Sequence, residues 1–147
     1  FTVGFGWAKA VPVNPRYFRK PKQGMAVTAL AGPVSNLLLA AAAVGISRLI
    51  YQYAPYTGLW NALFEFFLLT LAPLSIGLGL FNLIPIPPLD GSKVVAVFLP
   101  DDAYAMLMRY ERYGFLVLLA LSYFGVMSGM MSDAIIGVFS LLYNLFY

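Results

Sequence analysis

Three polar side chains stand where this sequence is otherwise apolar. Asp90 closes a run of residues free of charge, Asn82 lies eight residues before it, and Asn36 sits within an earlier charge-free run. A carboxylate at the centre of a membrane helix is disfavoured by roughly 2.5–3.5 kcal/mol, and such residues usually serve a function. Two kinds of compensation suit Asp90. At a helix entrance it is an N-cap acceptor. On a stiff backbone it is also a metal ligand, since zinc takes Asp oxygen at roughly 2.0–2.2 Å in tetrahedral sites that keep a position for water. The amide N–H of Asn82 can donate to a developing oxyanion. Asn36 shares a helix face with Ala29, Gly32, Ala40 and Ala43. Small residues admit a second backbone closely, so Asn36 reads either as the polar tie of a helix contact or as part of a site.

The stretch FNLIPIPPLDGSKV (Phe81–Val94) must position Asn82 and Asp90. Pro85, Pro87 and Pro88 each remove a donor and restrict the residue before them, so no regular helix passes through. The expectation is an extended, rigid segment from Asn82 to Asp90 at or just below a membrane interface, a sharp turn at Gly91, and a helix restarting in SKVVAVFL. Upstream, Pro73, Gly77 and Gly79 loosen the preceding helix and free backbone groups that need partners inside protein.

Composition identifies the solvent. Of 147 residues, 61% are hydrophobic and 10% charged, against roughly 25% charged in soluble domains. Residues 23–47, 66–89, 113–132 and 134–147 contain no Asp, Glu, Lys or Arg, and a bilayer span needs about 20 mostly apolar residues. The reading is an all-α membrane protein with about four transmembrane helices, the last two turning near Ser128–Asp133. One transmembrane domain covers 1–147: a surface strand or loop at 1–22, helices at 23–50 and 60–83, the Leu-Asp-Gly segment and its connection at 84–112, and a C-terminal helix or helical hairpin at 113–147. Leu99–Gly114 reads as a short amphipathic helix that Asp101 or Asp102 can cap. In the opening FTVGFGWAKAVPVNPRYF, Val3, Phe5 and Trp7 alternate with small or polar residues, as in a membrane-surface β-strand or hairpin.

Charge sets the orientation. Lys9, Arg16, Arg19, Lys20 and Lys22 precede the first helix, and Lys93, Arg109 and Arg112 follow the second; of the nine basic residues only Arg48 falls at the other end. The positive-inside rule makes residues 1–22 and 91–112 cytoplasmic. Tyr51, Tyr53, Tyr56 and Trp60 form an interfacial aromatic belt opposite, and Glu65 is an interfacial residue one turn inside it. Cysteine is absent, which excludes disulfides and thiolate chemistry, and a net charge of +3 excludes a nucleic-acid partner. The chain opens on Phe1 without a signal-peptide layout and reads as the continuation of a longer one.

FNLIPIPPLDGSKV resembles the second signature of the site-2 protease family, the intramembrane zinc metalloproteases of peptidase M50: an Asn, a proline-rich spacer, then Leu-Asp-Gly. GWAKAVPVNPRYFRKPKQGMAVTALAGPVSNLLLA (Gly6–Ala40) is similar to the family too, with Gly-Trp-Ala-Lys, Pro-Val-Asn-Pro and a helix bearing Gly-Pro-x-x-Asn; Ala10 departs from a frequent proline. The resemblance covers residues 4–125. It implies a zinc site built by two histidines of a His-Glu-x-x-His helix and by the motif Asp, with the Glu as general base. Asp90 is then the third zinc ligand, Asn82 holds the substrate carbonyl or the tetrahedral intermediate, and Asn36 lines the site. Val3, Phe5 and Trp7 lie in a surface strand to which an unwound substrate helix adds.

The implied activity is hydrolysis of transmembrane segments of membrane-protein substrates in a bacterial-type plasma membrane, by a multi-pass protein whose partners are those helices and the bilayer. The sequence contains no histidine, so Asp90 alone cannot build a site that needs three protein ligands. The chain is therefore expected to be the C-terminal portion of such a protease, without stoichiometric zinc or activity alone. The alternative is a non-catalytic binding or scaffold relative that has lost the zinc helix. A broken-helix transporter segment would need a second, inverted copy of the motif, and the sequence has none.

Overall fold

A computed structural model describes residues 14, 17–55 and 57–147. All regular structure among them is helical: α1 (Pro21–Tyr53), α2 (Gly58–Glu65), a π-helical turn (Phe66–Leu71), α3 (Ala72–Asn82), α4 (Asp90–Ala96), α5 (Asp101–Tyr123) and α6 (Val126–Phe146). The strand or hairpin expected over Val3, Phe5 and Trp7 lies outside the described residues.

Helix α1 opens on Pro21, whose missing N–H falls where no intrahelical partner exists. It stops where Ala54 meets Pro55, because the residue before a proline is pushed to extended backbone; Ala54 has φ −91° and ψ 148°. Its buried residues Ala26, Ala29, Pro33, Ala40, Ala43, Val44 and Ser47 form one stripe. That stripe of mostly small side chains lets α3 and α4 pack directly on α1. The second span runs through α2, the π turn and α3. Pro73 lacks an N–H and its ring would crowd the Leu69 carbonyl, and the widened turn immediately before α3 accommodates both.

Ala43, Val44, Leu68 and Ala72 form the core, flanked by Phe64, Phe67, Leu71, Phe139 and Leu142. Helix α6 lies against both spans: a Cβ on Gly77 would come 3.3 Å from Ile135, and one on Gly45 would come 3.2 Å from Phe146. At the α6 end, buried Ser47 donates to or accepts from the Tyr147 hydroxyl at 3.1 Å. Arg48 stacks 5.1 Å above the Tyr147 ring.

Among the described residues three helices are long and apolar enough to cross a membrane: Pro21–Tyr53, Gly58–Asn82 and Met127–Phe146. The expectation was about four. Helix α5 is one continuous helix, and its apolar part, Tyr113–Tyr123, is too short to span. Both its ends lie in the same half of the bundle: Asp101 pairs with Lys22 at the start of α1, and beyond Tyr123 Met127 shares an apolar cavity with Phe81 and Leu89. The turn into α6 falls at Phe124–Gly125, before the expected Ser128–Asp133, which is helical. Gly125 takes φ +71°, a conformation that suits glycine, and its N–H closes onto the Ser122 carbonyl. Neither Asp101 nor Asp102 caps α5; Pro100 is the N-cap residue.

The end that carries α1's first residues is tied by Lys22. Its Nζ donates to the Leu99 carbonyl at 2.9 Å, pairs with Asp101 at 2.5 Å and lies 5.1 Å from the Tyr104 ring centre. The hydrogen bond from Lys22, and then its charge, hold the Asp101 carboxyl below its ordinary range. A carboxyl lowered in this way contributes stability above its unfolded pKa and loses that contribution as pH falls through the folded value. Asp101 is 94% exposed, so solvent screens most of the effect. Lys22→Met is expected to return Asp101 toward the usual carboxylate range, read by NMR titration of labelled aspartates; an unmoved titration would contradict the tie.

Candidate functional site

Helix α3 ends at Asn82, and the chain then makes turns as far as Leu89. The extended segment expected from the prolines is therefore a compact one. The prolines remove three donors, but the remaining N–H groups close local bonds: Leu83 to the Leu80 carbonyl at 3.1 Å, Ile84 to Phe81 at 3.2 Å, and Leu89 to Ile86 at 3.0 Å. The Pro87–Pro88 peptide is cis. Leu89 is extended, with φ −70° and ψ 154°, and serves as N-cap residue of α4. The buried Ser92 hydroxyl donates to the Leu89 carbonyl at 2.7 Å and secures the entry.

Gly91 has a different role from the sharp turn expected of it. It lies within α4, without positive φ. A Cβ there would overlap the Leu83 carbonyl and come 2.6 Å from the Ile84 oxygen. Close backbone approach is thus the reason for glycine in Leu-Asp-Gly.

Asp90 occupies the first turn of α4 rather than its N-cap, and makes no capping hydrogen bond. Its position at a helix start is electrostatically favourable to a carboxylate. One oxygen, Oδ1, lies 3.6 Å from Lys93 Nζ, and the carboxylate is 33% exposed. The other, Oδ2, lies 3.5 Å from where a Cβ on Gly32 would stand. Asn36 is one turn further along α1, and its Cβ lies 3.4 Å from the Cβ position of Gly79 on α3. Asn82 follows Gly79 by three residues, on the same side of α3. The structure therefore gathers Asp90, Asn36 and Asn82 around the junction of α1, α3 and α4. The polar tie expected of Asn36 is not made: neither Asn36 nor Asn82 hydrogen bonds through its side chain to another described residue. Val3, Phe5 and Trp7 lie outside the described residues.

As a zinc site the donor set is partial. No group of three His, Cys, Asp or Glu side chains converges among the described residues, and the sequence holds neither His nor Cys. Asp90 offers one carboxylate ligand, and no second or third His, Cys, Asp or Glu ligand converges on it among the described residues. Three participants escaped the sequence reading. Lys93 was legible in principle, since i and i+3 positions face each other on a helix. Spacing placed Gly32 on a close-contact face and Gly79 in a loosened helix, but not that Gly32 meets Asp90 or that Gly79 meets Asn36.

The profile of "Peptidase family M50" matches residues 47–124. "Putative zinc metalloprotease YwhC" of Bacillus subtilis (strain 168) is 39% identical over 121 residues, which are 81% of this chain and 55% of that protein. "Putative zinc metalloprotease Rip2" of Mycolicibacterium smegmatis is 30% identical over 95 residues, 65% of this chain and 34% of that one. The chain thus spans about half the length of the first relative and a third of the second. No solved structure matches at a significant level.

Gly91→Ala is expected to destabilise the fold by about 1–3 kcal/mol, the usual cost of overpacking. Gly129→Ala, where a Cβ meets open space, should be neutral or slightly stabilising. Unfolding in graded detergent mixtures compares the two, and equal effects would refute the close-approach argument.

Proposed function

Because the chain belongs to peptidase family M50, we propose that it forms part of an intramembrane zinc metalloprotease that hydrolyses peptide bonds within transmembrane segments of membrane-protein substrates. The observation that carries this reading is the placement of Asp90 against Gly32 of a spanning helix, beside the half-buried Asn36 and the end of α3 at Asn82. The names of the two relatives, each that of a zinc metalloprotease, support the metal.

In this reading Asp90 would supply one zinc ligand through its carboxylate, and the other ligands would come from outside these 147 residues. Asp90 would hold one position of such an ion, which would supply Lewis-acid activation of a carbonyl and of water once the remaining ligands complete the site. Asn82 donates its amide N–H to the carbonyl oxygen as that oxygen gains charge, and Asn36 lines the substrate's path along α1. The end tied by Lys22 and Asp101 faces the cytoplasm, which the distribution of basic residues supports. The membrane is a bacterial-type plasma membrane, and the partners are substrate helices.

Asp90→Ala in the full-length protein is expected to abolish both zinc retention and cleavage. Asn82→Ala should keep the zinc and slow turnover by about a hundredfold, the scale of one lost oxyanion donor. Metal content by mass spectrometry and cleavage of a transmembrane reporter substrate read the two effects. Zinc and cleavage both surviving Asp90→Ala would overturn the assignment. The 147 residues alone should bind no stoichiometric zinc in equilibrium dialysis.

A further inference from the structure

The turn segment between Asn82 and Asp90 is gripped from two sides, and one grip comes from a helix outside every motif. On the α4 side, Gly91 abuts the Leu83 and Ile84 carbonyls. On the other side, Gly114 of α5 is buried against Pro87. A Cβ on Gly114 would overlap the Pro87 carbonyl oxygen and stand 3.1 Å from the Pro87 Cβ. The obstacle is mainly backbone, so no rotamer change relieves it. Phe115 and Leu118 of α5 line the same apolar cavity as Pro88 and Leu89. Glycine within a helix costs about 1 kcal/mol relative to alanine, so a glycine in mid-α5 calls for a packing reason, and the Pro87 carbonyl provides one. By contrast, Gly129 and Gly137 of α6 face open space.

We propose that Gly114 is a positioning residue: through Pro87, α5 sets where Asp90 stands against Gly32 of α1. The path between them is short and stiff. Pro87 and Pro88 each have φ fixed by their rings, which halves the soft dihedrals at these two residues that could absorb a shift imposed at Pro87 before it reaches Leu89 and Asp90. Gly91 fixes the start of the same segment at Leu83 and Ile84. The consequence for catalysis rests on Asp90 being the group proposed above, whereas the positional claim does not need a metal.

The sequence has no cysteine, so residue 90 can be located by disulfide trapping in the full-length protein in membranes, with any cysteine outside these residues replaced. Gly32→Cys and Asp90→Cys place two thiols at the contact where Asp90 Oδ2 lies 3.5 Å from the Gly32 Cβ position, and a disulfide forms only at close Cβ spacing. With Gly114 intact, mild oxidation should join the pair readily. Adding Gly114→Ala should lower the yield several-fold, and adding Gly129→Ala should leave it unchanged. If Gly114→Ala fails to insert, Leu118→Ala takes its place, because it loosens the seat of α5 without a clash and should also lower the yield. Equal yields in the intact and altered α5 backgrounds, or no disulfide with Gly114 intact, would overturn the proposal. Proteolysis is not read, so this result and the test of zinc retention fail independently.

Discussion

Non-helical backbone inside a bilayer persists only where protein surrounds its carbonyls and amides, because lipid offers them no partner. Residues Leu83 to Leu89 follow directly on a helix long and apolar enough to span, are not helical, and include three prolines without an N–H. Much of the fold is organised around that constraint. The donors that remain close short turns. The Leu83, Ile84 and Pro87 carbonyls are covered by the two positions, Gly91 and Gly114, that carry no side chain. Small residues along α1 bring α3 and α4 against it on either side of the break, while Leu83, Pro85 and Pro88 stay exposed.

The two ends of the bundle are secured by different physics. At one, a lysine ammonium gathers a carbonyl, a carboxylate and a tyrosine ring. At the other, Arg48 rests on the faces of Tyr51 and Tyr147, and Tyr143 stacks on Tyr147 with ring centres 4.4 Å apart. Aromatic faces hold a guanidinium without needing a carboxylate. That end has the amphipathic rings found at membrane interfaces.

Much of this was legible in the sequence. Charge-free runs located α1 and the second span but divided α6 at Asp133, and the prolines announced the break between Asn82 and Asp90. The small-residue spacing on α1 indicated the face that meets α3. The failures have physical causes. Absence of charge reports composition and not helical continuity, so the charged half of α5, Asp101–Arg112, and its apolar half, Tyr113–Tyr123, read as separate elements. Prolines forbid a helix but do not specify what replaces it, and the local bonds of Leu83, Ile84 and Leu89 decide for turns. The need for glycine at 91 and 114 arises from backbones distant in sequence or folded back upon it, which no local pattern encodes. The missing zinc ligands are a matter of composition, since no histidine or cysteine is present.

Helix α1 carries one more implication. Its 33 residues extend about 50 Å at 1.5 Å each, well beyond the roughly 30 Å of a hydrocarbon core. Lys22 marks one end of this rod and Gly32, beside Asp90, lies ten residues along it, a distance of about 15 Å. The rod is thus a depth gauge. With Lys22 at the headgroups, the carboxylate sits up to half-way down the bilayer, deeper than an interfacial loop. In the reading proposed above, a substrate would therefore be chosen partly by whether its helix can be unwound at that depth, where water must also be supplied.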